Sequence, residues 1–124
     1  MRFASIAAAV LLAVPLTSAS AAMDVATFLA KADALRAKGP MALFSSDVGL
    51  LKNEVQSAAL ALRTERLALL KTGKKAAYCP PAKGSMNSDE LMAAMHVVPV
   101  AERPRTDVKA VVRSILVRKY PCHG

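Results

Sequence analysis

Two cysteines and the residues beside them constrain this chain more than any other feature. Cys79 stands in Tyr78-Cys79-Pro80-Pro81 and Cys122 in Tyr120-Pro121-Cys122, so each has a proline on its inner side and a tyrosine close by. A prolyl ring fixes φ and removes a backbone donor, so a helix cannot run through either point. No other cysteine occurs in the 124 residues. In an exported chain, two cysteines read as one disulfide. Closing a loop of about 44 residues stabilises a fold by roughly 4 kcal/mol in the chain-entropy description. The competing reading, a redox or catalytic thiol, lacks a C-x-x-C spacing and an evident base.

The N-terminus points to export. Met1-Arg2-Phe3 carries one positive charge, Ala4 to Pro15 is almost wholly apolar, and Thr17 to Ala22 is small and polar. Ala19-Ser20-Ala21 fits the small-residue cleavage rule, and Ser20-Ala21-Ala22 fits it one residue later. An apolar run of about a dozen residues is short of the roughly 20 that span a bilayer. Residues 1–22 therefore read as a signal peptide cleaved near Ala21 or Ala22, and residues 23–124 as one domain in the periplasm. No later segment is long and apolar enough for stable membrane insertion.

The remainder carries helical periodicity and none of the alternation of a strand. Val25, Phe28, Leu29, Ala32 and Leu35 fall on one stripe, with Gly39-Pro40 as the stop, which predicts a helix over Asp24 to Lys38. Met41 to Phe44 reads as a short apolar link packed under the core. Asp47 to Thr72 reads as the longest helix, with the stripe Leu51, Val55, Ala58, Leu62 and Leu69, and Gly73 as the residue that ends it. Asn87 and Glu90 have capping-box spacing, or Ser88 caps, ahead of a third helix to Val98. That helix is expected to bury Leu91, Met92, Met95 and Val98. Pro99 ends it, and Val100 to Arg105 reads as a basic connector held open by Pro104. A fourth helix, capped by Thr106, carries Val108, Val111, Val112, Ile115 and Leu116 inward and the stem of Lys119. The expected fold is all-α, a small four-helix domain closed by the Cys79–Cys122 disulfide.

Catalytic chemistry finds no support. His96 and His123 are the only histidines, and three or four ligands are needed to hold a metal. Cys79, Cys122 and His123 could serve only without the disulfide, so no metal and no cofactor is expected. The carboxylates are scattered, the serines lack a nucleophile elbow, and the five glycines form no phosphate loop. An enzyme is not expected. Charge is more informative: 17 Lys and Arg, one of them Arg2, stand against 9 Asp and Glu, which leaves +7 after cleavage. A surplus of this size favours acidic partners. Arg105, Lys109 and Arg113 recur at four-residue spacing, with Arg103 before them, and form a positive ridge if the fourth helix is correct. A solvated face is the plain alternative to a docking surface. Nucleic acid is not expected, since the chain has no Trp, few other aromatic residues and an export signal.

The Cys79-to-Cys122 stretch resembles the Rap/Tai family of periplasmic immunity proteins directed against type VI secretion effectors. The resemblance rests on Tyr78-Cys79-Pro80-Pro81, the helical Leu91 to Pro99 and Val108 to Leu116, and Tyr120-Pro121-Cys122. It implies a non-catalytic protein that binds a secreted effector, typically a cell-wall amidase, and occludes its active site. Candidate plugs are the exposed loops Ala82 to Met86, which contains Lys83, and Ala101 to Arg105. The partner-binding set is then Lys83, Arg103, Arg105, Lys109 and Arg113, facing an acidic protein. A homodimer is also implied, through Ala26, Ala30 and Ala34 or through Ala58, Ala59 and Ala61. The alternative function is a structural or stress-related helical envelope module with no toxin partner.

Overall fold

The computed structural model describes residues 22–123, so the expected leader, residues 1–22, lies outside them in all but its last residue. The described residues form four α-helices, α1 (Val25–Lys38), α2 (Ser46–Lys71), α3 (Ser88–Val97) and α4 (Val108–Lys119). Two 3₁₀ helices, Gly39–Phe44 and Val100–Arg105, join α1 to α2 and α3 to α4. No helix among these residues is long and apolar enough to cross a membrane. The all-α, disulfide-closed fold read from the sequence is the fold observed.

Local chemistry accounts for the helix ends. Asp24, Ser45, Asn87 and Asp107 are the N-caps, each with a side-chain oxygen accepting from an amide of the first turn. Such bonds satisfy donors that the helix itself leaves unpaired. Asn87 caps α3 through the Glu90 amide at 2.8 Å, while the Glu90 carboxylate turns to Lys119 rather than closing a capping box. Thr106, expected to cap α4, instead donates its hydroxyl to the Glu102 carbonyl, and Asp107 caps one residue later. At the far end of α2, Gly73 (φ 75°) lets Lys74 N–H reach the Leu69 carbonyl and its own N–H reach that of Leu70. That pair of bonds defines a Schellman stop.

The two caps at Asp24 and Asp107 lie side by side in an isolated antiparallel bridge. Val25 N–H donates to the Thr106 carbonyl at 2.8 Å, and Val108 N–H donates to the Met23 carbonyl at 3.0 Å. The exchange satisfies one orphan amide of each helix but brings two positive helix ends together. The two aspartates offset that repulsion. The Thr27 backbone N–H, and then its hydroxyl, hold the Asp24 carboxyl below its usual range.

The core lies where α4 meets α2 and α3 while α1 packs on α2 and on the second 3₁₀ helix. Val25, Leu62, Met95, Val108, Val112 and Ile115 are almost fully enclosed. Tyr78 is the one loop residue in this core, its hydroxyl donating to the Leu62 carbonyl at 3.0 Å. Three expectations fail at the margins. Leu69 is not in the core: α2 has 26 residues against 12 in α4, or about 39 Å against 18 Å. The longer helix outruns its partner, and Leu62 is its last buried residue. Met41 to Phe44 does not pack under the core either. The 3₁₀ turn sits at the tip of the α1–α2 hairpin, beyond the reach of α3 and α4, and leaves Leu43 and Phe44 more than 80% exposed (81% and 84%). Val100–Arg105, expected as an open connector, is a 3₁₀ helix packed against α1 despite the internal Pro104.

Two glycines give opposite expected results. A Cβ added at Gly49 or at Gly73 would meet nothing within 4 Å, so sterics are equal at the two sites. Gly49→Ala in α2 should stabilise by roughly 0.5–1 kcal/mol through reduced unfolded-state entropy. Gly73→Ala should destabilise by about 1–2 kcal/mol because φ is positive. Urea unfolding of the two variants checks both signs.

Candidate partner-binding surface

The cations singled out in the sequence have unequal fates. Lys109 pairs with Glu65 of α2, and Arg113 Nη2 donates to the other Glu65 oxygen at 2.9 Å. One carboxylate on α2 thus answers the two members of the expected ridge that lie on α4, across 44 and 48 residues of chain. The row at Arg105, Lys109 and Arg113 is consequently not a free positive stripe. Arg103 is also engaged: its Nε donates to the Val98 carbonyl at 2.9 Å and its Nη2 to the His96 carbonyl at 3.0 Å. It satisfies carbonyls at the C-terminal end of α3, where a cation is favoured by the dipole. Arg105 and Lys83 remain exposed and make no ion pair among the described residues.

Arg103 does something the sequence did not announce. By clasping the end of α3 it makes Val97 to Arg105 a firm corner, and Val97 and Val100 stand out from it, 78% and 73% exposed. Val97 lies off the stripe that α3 buries and immediately precedes Val98-Pro99, so an apolar residue with no inward role was the available signal. The result is a rigid apolar tip with Arg105 close by in sequence.

The first loop is also held in place. Cys79 and Cys122 are bonded, with Cα atoms 5.0 Å apart, a normal span for a disulfide. Cys79 N–H donates to the Tyr120 carbonyl at 2.7 Å. Farther along, Ser85 N–H donates to the Tyr120 hydroxyl at 3.2 Å, and Lys119 Nζ donates to the Ser85 carbonyl at 2.6 Å and to Glu90 Oε2 at 3.0 Å. The Glu90 carboxylate raises the Lys119 pKa above the usual lysine range. The sequence reading used only the Lys119 stem, whereas its ammonium fastens the loop to α3 and α4. Of the small-residue faces, Ala58 is buried in this molecule's own core, while Ala30 and Ala34 are exposed on α1.

The Lys109–Glu65–Arg113 cluster makes a pH prediction. The Lys109 hydrogen bond, followed by that from Arg113, lowers the Glu65 pKa. A carboxyl lowered on folding stabilises above its unfolded pKa, and the contribution is lost as pH falls through the lower folded value. Glu65→Gln should therefore be less stable than the wild type near neutrality, and the difference should close in acid. It should also shrink in high salt, since the cluster is exposed. Urea midpoints of both proteins across the acid range check this; a gap independent of pH would refute it.

Among the described residues, no group of three or more His, Cys, Asp or Glu is gathered as metal ligands. Comparison of the chain with protein-family models, with curated proteins and with solved structures found no match.

Proposed function

We propose that this chain is an exported, non-enzymatic binding protein of the immunity type, which neutralises a secreted cell-wall-degrading effector by occluding its active site. The observation that carries the reading is the clasped corner at Val97 to Arg105, where apolar side chains project from a backbone held by Arg103. A surface already rigid before binding loses less entropy in the complex. Arg105 and the net positive charge would steer the corner toward an acidic cleft. The resemblance of the Cys79–Cys122 stretch to the Rap/Tai family supports a type VI secretion effector as the class of partner. On this reading the leader is removed in the periplasm, and the mature chain starts at Ala22 or Met23.

The test is to co-express the mature chain with the protein encoded beside it and to pass the mixture over a sizing column. Co-elution, with rescue from that protein's toxicity in the periplasm, is the expected result. The corner makes the result specific: Val97→Asp with Val100→Asp should abolish co-elution without lowering the unfolding midpoint. A second reading, a helical envelope module without a toxin partner, draws on the exposed Met41, Leu43 and Phe44 at the hairpin tip. Under that reading no complex forms, and deletion weakens the envelope in the absence of any attacking strain.

A further inference from the structure

A cleft of about 400 Å³ opens between α2, α4 and the loop that follows the disulfide. The volume lies within the range of small-molecule sites. Its walls are aliphatic, with Val55 and Ala59 from α2, Met86 from the loop and Leu116 from α4. Arg63 and Arg66, about one turn apart on α2, are the charged residues of the lining, and no carboxylate lines the cleft. Neither arginine makes an ion pair among the described residues, where every salt bridge runs through other cations. Arg66 Nε is the only buried side-chain nitrogen or oxygen among them left without a hydrogen-bond partner. Buried donors are ordinarily satisfied, so the Nε of this half-buried arginine lacks an acceptor in the folded chain. Tyr78 and Tyr120 also line the cleft, but their hydroxyls are committed to the Leu62 carbonyl and to Ser85.

We propose that this cleft binds a medium-chain monocarboxylate, with the carboxylate on Arg63 and Arg66 and the acyl chain along Val55, Ala59, Met86 and Leu116. Guanidinium groups suit a carboxylate because their planar donors meet both oxygens. A flexible methionine side chain adapts to an unbranched tail. The disulfide matters here because Pro80 and Pro81, directly after Cys79, form part of the wall. The site involves neither the corner at Val97 to Arg105 nor a toxin partner, so the effector proposal can fail without it.

Sodium octanoate is the probe, and the protein supplies its own reporter. Its only two tyrosines both line the cleft, and it has no tryptophan. Titration should change the tyrosine fluorescence saturably. Across butanoate, hexanoate and octanoate the affinity should rise about fourfold per methylene. Octanol, of similar length but without charge, should bind at least tenfold more weakly, since charge-assisted hydrogen bonds are lost. Arg66→Gln should weaken octanoate by a similar factor and leave octanol unchanged, with Arg63→Gln in the same direction. The octanol comparison requires no variant to fold. Equal binding of octanol and octanoate, an affinity independent of chain length, or no tyrosine response to octanoate would each overturn the proposal.

Discussion

Replacement of Cys79 and Cys122 by alanine together is expected to lower the unfolding free energy by roughly 4 kcal/mol. The bond joins residues 43 apart in sequence. That segment contains the proline loop, α3, the second 3₁₀ helix and α4, nearly half of the described chain. Without the bond, the unfolded ensemble regains the freedom of that loop. The folded state retains other ties between the same strands of chain, namely Cys79 N–H to the Tyr120 carbonyl, Tyr120 to Ser85 and Lys119 to Ser85. The variant should therefore fold to the same helical content but melt lower by roughly 15–30 °C, given the size of the domain. Domains of this kind are stable by only about 5–15 kcal/mol, so a large share of the total is at stake. Wild-type protein unfolded in reductant should match the double variant. Equal midpoints for the oxidised wild type and the double variant would show that the bond is not what stabilises this fold.

Tyr78→Ala should cost nearly as much, about 3–5 kcal/mol, whereas Tyr78→Phe should cost only about 1 kcal/mol. Tyr78 is 6% exposed and is the one buried residue of the loop between α2 and α3, where Met86 is only partly buried against the core. Removing the ring leaves a cavity against α2 and α4 at the point where the chain turns toward the disulfide. Removing the hydroxyl alone forfeits the bond to the Leu62 carbonyl and leaves the apolar contacts intact. Burial raises the Tyr78 pKa, so the hydroxyl stays protonated and donating throughout the ordinary pH range. Guanidinium titrations of the two variants separate packing from hydrogen bonding. Equal losses would mean that the bond, not the ring, anchors this loop.

The two expectations rest on different parts of what was legible. The cysteine pair was evident because prolines on both inner sides prevent helix continuation where the two chain segments meet. Tyr78 was visible only as a neighbour of Cys79, because no periodicity marks a single loop residue as core. The candidate surface was less legible. Spacing placed Lys109 and Arg113 on one face of α4 as expected, but could not reveal Glu65 of α2 facing them. Arg103 read as a free charge in a basic connector and proved to be a clasp on the end of α3. The arginine-lined cleft was invisible, since Arg63 and Arg66 on α2 meet its other walls, from the proline loop and α4, only through tertiary packing.

By itself the sequence determined the helices, their stops and the pairing of the cysteines. Those signals act over one turn or across a proline: the 3.6-residue stripe of α1 and α4, the Asn87 cap, the positive φ available to Gly73. Only the tertiary structure decided which stripes were used to their full length and where the charges went. Leu69 lost its place in the core because α2 is longer than the helix it packs on. Met41 to Phe44 stayed outside because the hairpin tip lies beyond the other helices. The bridge at Asp24 and Asp107, the Glu65 cluster and the cleft at Arg66 all join residues distant along the chain. Such encounters depend on how packed helices cross, and that crossing is set by the whole core rather than by any local run of residues.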